Sequence, residues 1–268
     1  MIKDITIGQY FPGESFVHKM DPRMKILLTI VYVVALFIVN NLLGFLIIGA
    51  LMAAIIISSK ISYKIIFKSI KPLLFIIIFT GIFNIFYGSG PTLFENVKWL
   101  SWLTLDGILN ALFIIIRIVL LILGTSFMTY TTSPVLLTDA MERLLKPLKL
   151  IKVPVHEMAM MMTIALRFIP TLIDETEKIM NAQKARGADF ETGGIIKRAK
   201  ALIPILVPLI VSAFRRAEEL ADAMECRCYN GDKGRTRYKV YNFGYRDYIA
   251  VAVMALVIAG IVLINIFL

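Results

Sequence analysis

Residues 107–130 read GILNALFIIIRIVLLILGTSFMTY, a run of 24 residues whose one charge is Arg117. At 1.5 Å per residue a helix of that length reaches about 36 Å, enough for a hydrocarbon core of roughly 30 Å. Residues 248–268, YIAVAVMALVIAGIVLINIFL, carry no charge and reach about 31 Å. Three shorter apolar blocks lie upstream, at 26–39, 42–57 and 73–87, each roughly 21–24 Å long as helix. Such short spans are tolerated when packed against other helices, so the bundle is expected to need partners. One helix over 26–57 would be about 48 Å long, too much for a bilayer. The spacing therefore predicts a helix–turn–helix pair broken at Asn40-Asn41, with Gly44 near the start of its second helix.

Composition agrees with that reading. The 268 residues are 58% hydrophobic and 18% charged, against about 45–50% apolar in soluble domains. Mean hydropathy is +0.78. A soluble domain, a disordered chain and a disulfide-stapled secreted module are all excluded. The fold class expected is an all-α integral membrane protein. It has a five-span helical bundle, with residues 1–130 and a last span at 248–268, and a large helical cytoplasmic module at 131–247.

Orientation follows from charge. Of 29 Lys and Arg, 27 lie in residues 1–25, 58–72 and 131–247, while Lys98 stands alone in 88–106 and Arg117 lies inside a span. Positive charge collects on the cytoplasmic side, which places the N-terminus in the cytoplasm and, after five crossings, the C-terminus outside. Residues 1–25 lack the apolar run of a cleavable signal, and Asp21-Pro22 reads as an N-cap with proline at the first helical position. The net charge of +10 is the ordinary inside signal of a membrane protein, not a nucleic-acid footprint. Arg117 lies near the bilayer centre and must face protein or water; a structural and a functional role both stay open.

Within 131–247, Pro134, Pro147, Pro154, Pro170, Pro204 and Pro208 divide the module into helical stretches. From Thr171 to Arg186, Leu172, Ile173, Thr176, Ile179, Met180 and Gln183 recur on one face, with Asp174 and Lys178 pairing on the other. From Ser212 to Tyr229 the expected stripe is Ala213, Ala217, Leu220, Met224 and Cys228, with Arg215 and Glu219 outside. The apolar stretch 201–214 has basic flanks on both sides and two prolines, and is expected to lie against the membrane bundle rather than cross it. Met158, Met160, Met161 and Met162 make an adaptable surface suited to a membrane partner, although ordinary core packing explains them as well.

Catalytic chemistry is missing. There is no G-x-x-x-x-G-K-[ST] loop, no H-E-x-x-H and no C-x-x-C; Cys226-x-Cys228 alone is a poor metal site. No catalytic residue, cofactor site or metal site is expected, and the chain reads as a non-enzyme. Two segments do stand out, Gln183-Lys184-Ala185-Arg186-Gly187-Ala188 and Met224-Glu225-Cys226-Arg227-Cys228-Tyr229, whose arginines are 41 positions apart. Small neighbours let another backbone come close, and a guanidinium can then make forked bonds to a carboxylate or carbonyls. The plainer reading is a cation stabilising a helix C-terminus, which two such motifs on successive helices begin to outweigh.

These motifs, with Gly8-Gln9-Tyr10-Phe11-Pro12-Gly13, Asp21-Pro22-Arg23, Leu166-Arg167-Phe168-Ile169-Pro170 and Gly234-Arg235-Thr236-Arg237, resemble the transmembrane T component of energy-coupling factor transporters over essentially the whole chain. In that family both short motifs read Ala-Arg-Gly, and their arginines dock into grooves on two ATPases of the ABC type. The first motif here matches; the second has Cys226 and Cys228 in place of alanine and glycine, both small, although Cys228 lacks glycine's conformational freedom. The resemblance implies a multi-pass plasma-membrane subunit joining two such ATPases, which would hold ATP and magnesium, to one membrane-embedded substrate-binding subunit that imports a vitamin or metal ion. Ala185, Arg186, Gly187, Cys226, Arg227 and Cys228 would be the ATPase-coupling residues. The competing class is a self-contained secondary transporter, which calls for ionisable residues at the midplane. Only Arg117 qualifies, and no repeat is evident between the halves.

Overall fold

The computed structural model describes residues 10–86, 105–190, 194–231 and 243–267. The Gly8-Gln9 and Gly234–Arg237 motifs and Lys98 lie outside them. Among the described residues all regular structure is helical: α1 Pro22–Ile38, α2 Leu42–Ser59, α3 Tyr63–Ile70, α4 Leu74–Phe86, α5 Leu105–Thr131, α6 Pro134–Leu144, α7 Val155–Ala185, α8 Ile195–Glu225 and α9 Tyr245–Phe267. Short 3-10 turns at Lys71–Leu73 and Lys146–Ile151 join α3 to α4 and α6 to α7. The chain divides into two compact units, one built from Gly8–Ala140 with Val240–Leu268, the other containing Met141–Lys239.

Among the described residues four segments are long and apolar enough to cross a membrane: Leu42–Ser59, Tyr63–Ile85, Asp106–Thr131 and Tyr245–Phe267. The span expected at 73–87 thus begins earlier, because α3 and its 3-10 turn continue into α4 and carry the exposed Lys64 and Lys68. The fifth expected span corresponds to α1, whose 17 residues make it the shortest of the set.

α1 is closed locally at its start and by other helices at its end. At its start Asp21 is the N-cap and accepts from the Arg23 N–H at 2.9 Å, a cap worth about 1 kcal/mol. At its end the carbonyls of Ile38 and Val39 have no further turn to bond. Asn265 Nδ2 donates to Ile38 O at 3.0 Å, and Arg117 Nη2 donates to Val39 O at 2.6 Å. The Arg117 guanidinium also lies over the rings of Phe45 and Phe37, at 5.6 and 6.0 Å. A cation against the last carbonyls of a helix complements its dipole. Arg117 is therefore a capping residue of the break at Asn40-Asn41.

These bonds also set the register of the bundle. Asp21 lies beside Asp247 and Ile38 beside Asn265, so α1 and α9 run parallel. Lys25 lies beside Thr131 and Val39 beside Arg117, so α5 runs antiparallel to both. The core that these three helices share with α2 holds Tyr32, Leu36, Val39, Phe45, Ile48, Met52, Leu120, Met254 and Ile261. Lipid is as apolar as these side chains, so close packing and hydrogen bonds must hold the helices together. Gly124 shows how: Tyr32 lies across it and donates to Leu120 O at 2.8 Å, and a Cβ on Gly124 would fall 2.3 Å from the ring.

Candidate functional site

Within the second unit, α7 and α8 are each 31 residues long. Three of the prolines expected to divide the module do not do so. Pro134, Pro147 and Pro154 mark helix or turn starts, but Pro170 lies inside α7 and Pro204 and Pro208 inside α8. A helix can pass through a proline by giving up one bond and bending, and the long amphipathic runs on either side outweigh that cost. Beyond Pro170 and Pro208 the C-terminal halves of both helices are free of proline.

Those halves are tied to each other through Glu175. Glu175 on α7 accepts from the Ser212 hydroxyl and from Arg216 Nη2 on α8, the latter at 2.8 Å. The Ser212 hydroxyl first, and then Arg216, hold the Glu175 carboxyl below its ordinary range. On α7 the expected stripe Leu172, Ile173, Thr176, Ile179, Met180 and Gln183 is half-buried. On α8 the expected Leu220 and Met224 are half-buried, whereas Ala213, Ala217 and Cys228 are exposed and the neighbours Ser212 and Arg216 are half-buried in place of the first two. The grip of Glu175 on two polar residues overrides the apolar stripe. The expected pairs Asp174–Lys178 and Arg215–Glu219 do not bridge among the described residues; their neighbours Glu175 and Arg216 do so instead, from one helix to the other.

The helix ends carry the two arginine motifs, and their backbones are superposable bond for bond. In the first, Arg186 N–H and Ala188 N–H donate to Gln183 O at 3.1 and 3.0 Å, and Gly187 N–H donates to Lys184 O at 3.0 Å. In the second, Arg227 N–H and Tyr229 N–H donate to Met224 O at 3.2 and 3.0 Å, and Cys228 N–H donates to Glu225 O at 2.8 Å. Gly187 has φ 86° and Cys228 has φ 53°. This is the Schellman closure, with a left-handed residue straight after the arginine. The left-handed turn ends the helix and leaves the arginine at its rim. Arg186 and Arg227 are both exposed, and neither guanidinium makes a hydrogen bond or ion pair among the described residues.

Glu175 and Arg216 occupy the same register as these arginines, 41 positions apart, so each arginine lies eleven residues past the contact. That is about 16 Å of helix. The structure thus brings Ala185, Arg186 and Gly187 to one tip, and Cys226, Arg227 and Cys228 to another, at equal distance from a shared crossing. Glu175, Ser212 and Arg216 were not singled out by spacing along the chain. The 41-residue offset was the signal that could have found Glu175 and Arg216.

The N-terminal halves of the same helices carry apolar surface. Met158, Met161 and Met162 are exposed and Met160 half-buried. On α8, Leu202, Ile203, Leu206, Val207, Ile210, Val211 and Phe214 form a continuous exposed stripe at helical spacing, while Ile205 is buried. His156 Nδ1 and Glu142 Oε1, 3.0 Å apart, tie the start of α7 to the end of α6. Among the described residues no three His, Cys, Asp or Glu side chains gather as a metal site. Cys226 and Cys228 are both free thiols.

The family described as cobalt transport protein, CbiQ, matches residues 13–238. A protein of Clostridium kluyveri named energy-coupling factor transporter transmembrane protein EcfT is 55% identical over 253 residues, covering 93% of each chain. Proteins of the same name from Ruminiclostridium cellulolyticum and Thermosediminibacter oceani are 52% and 47% identical, over 98% and 97% of each chain.

Proposed function

We propose that this chain, which belongs to the CbiQ family and is a transmembrane component of an energy-coupling factor transporter, passes the work of ATP hydrolysis by two ABC-type ATPases to a membrane-embedded substrate-binding subunit that imports a vitamin or metal ion. Residues 1–130 and 248–268 form the membrane bundle in the plasma membrane, and residues 131–247 form the cytoplasmic coupling module. The chain is not itself an enzyme; ATP and magnesium belong to the partner ATPases. The N-terminus is cytoplasmic and the C-terminus extracellular, a reading supported by the charge distribution and by the parallel run of α1 and α9.

One observation supports this reading: two arginine-tipped helix ends with the same backbone closure, exposed and without a side-chain partner among the described residues, each eleven residues beyond the contact at Glu175 and Arg216. A guanidinium presented in this way is suited to forked bonds with a carboxylate or with carbonyls on a partner. Ala185, Gly187, Cys226 and Cys228 keep the approach open. The exposed methionines and the stripe on α8 are suited to the substrate-binding subunit. A self-contained secondary transporter would need a free ionisable group at the midplane, and Arg117 is engaged with the Val39 carbonyl.

The test is to purify the tagged chain from its own membranes, identify the subunits that accompany it, and repeat with the Arg186→Glu/Arg227→Glu double variant. Two ATPases and a small membrane protein are expected with the native chain, with the ATPases lost or uncoupled in the variant. Normal assembly with full ATP-driven uptake in the variant refutes the coupling role.

A further inference from the structure

The Asp21-Pro22-Arg23 motif is not used by the coupling tips, yet it is the centre of a buried polar cluster in the membrane unit. Asp21 and Asp247 are buried, 5% and 4% exposed, and so is Lys25 at 6%. Asp247 bridges two backbones: its Oδ1 accepts from Asp21 N–H and its Oδ2 from Gly244 N–H, both at 2.9 Å. Arg23 Nε lies 3.1 Å from both Asp21 carboxylate oxygens, its guanidinium is 4.7 Å from the Phe243 ring centre, and Asp139 and Asp247 add to its electrostatic surroundings. Lys25 Nζ donates to Thr131 O at 2.9 Å, to Thr132 Oγ1 at 3.2 Å and to His18 O at 3.4 Å.

These partners are not scattered along the chain. Thr131, Thr132 and Asp139 lie where the chain leaves α5 for the module, and Phe243, Gly244 and Asp247 where it returns into α9. Asp21, Arg23 and Lys25 reach Asp247, Phe243, Thr131 and Thr132 directly, and Asp247 in turn holds the Gly244 N–H. We propose that this first turn of α1, through Asp21, Arg23 and Lys25, is the common anchor of both chain connections between the membrane unit and the module. Displacement of either connection is then delivered to α1, α5 and α9 as one body. Arg23 and Asp247 are positioning residues in this scheme, which rests on the coupling role proposed above. A buried cluster that binds backbone on both sides moves as a block, because interfaces of this kind have discrete arrangements rather than a soft continuum.

The experiment uses the complete co-purified complex in lipid nanodiscs, with spin labels carried on a keto-bearing unnatural residue at each labelled position, so that Cys226 and Cys228 keep their native thiols. Pairs at Leu27–Tyr248 and Leu27–Val135, all exposed, report on the anchor. A pair at Lys178–Glu219 reports on the arms. Distances are read by pulsed electron resonance with and without ATP and vanadate, beside the rate of ATP hydrolysis. In the native background each anchor pair should keep one narrow distance in both states while the arm pair shifts. In Arg23→Met and Asp247→Asn the anchor pairs should lose that single distance, hydrolysis should persist, and Arg23→Lys should recover it in part. Anchor distances that shift with nucleotide in the native background, or stay narrow in both variants, overturn the proposal. An arm pair that ignores nucleotide instead refutes the coupling role, and the variant comparison still decides the anchor.

Discussion

Cys228 holds a backbone conformation, φ 53°, in which an L side chain crowds the next carbonyl at a cost of about 1–2 kcal/mol. Gly187 meets no such cost at the equivalent place. Cys228→Gly should therefore stabilise the second tip by about 1 kcal/mol and Gly187→Ala destabilise the first by a similar amount, read as opposite shifts in thermal unfolding of the purified complex. At the neighbouring arginines the stake is binding. Charge-assisted bonds contribute roughly 1.5–3 kcal/mol, so losing either arginine should weaken ATPase attachment or coupling about 10–150-fold. Lysine should rescue poorly, since an ammonium has no fork; full recovery of binding in Arg186→Lys and Arg227→Lys would reduce the contact to simple charge. Both arginines were legible in the sequence because small residues flank them in a repeated pattern. The Glu175–Ser212–Arg216 grip was not, because a contact between helices leaves no local spacing, and only i,i+4 pairs can be read along one helix.

At the scale of helices, the break at Asn40-Asn41 was legible from length alone, since no single helix fits a bilayer at that size. The bends were not: a proline marks a helix start or an interior kink with the same letter, and only the packing of α7 and α8 decides between them. Their crossing has a pH dependence with a definite sign. Glu175 titrates below its ordinary 4.5, so its stabilising contribution is present above that value and is lost as pH falls through the lowered one. Ser212→Ala removes the largest cause of the depression and should move that loss to higher pH. The Lys178–Glu219 label pair, followed through an acid titration, should lose its narrow distance earlier in the variant; coincident titrations would remove Ser212 from the grip.

For the whole molecule, orientation and partner surfaces are the quantities to measure. Cysteine introduced at Ser89, outside the described residues, should react with an impermeant reagent in intact cells, and cysteine at Lys68 should not. The reverse pattern would invert the bundle. Met160→Glu/Met161→Glu puts two charges on the apolar half of α7 and should weaken association with the substrate-binding subunit while ATPase binding persists. If the ATPases are lost first, that surface has been given to the wrong partner.

The two equal arms beyond the α7–α8 contact behave like a pair of dividers. With each leg about 16 Å long, the chord between the tips is set by the opening angle alone, and ten degrees of opening changes it by up to about 3 Å. The legs hold no proline and so keep their length. A gauge of this form rejects any pair of sockets at the wrong separation. Under the coupling role proposed above, a change in socket separation would become rotation at the contact held by Glu175.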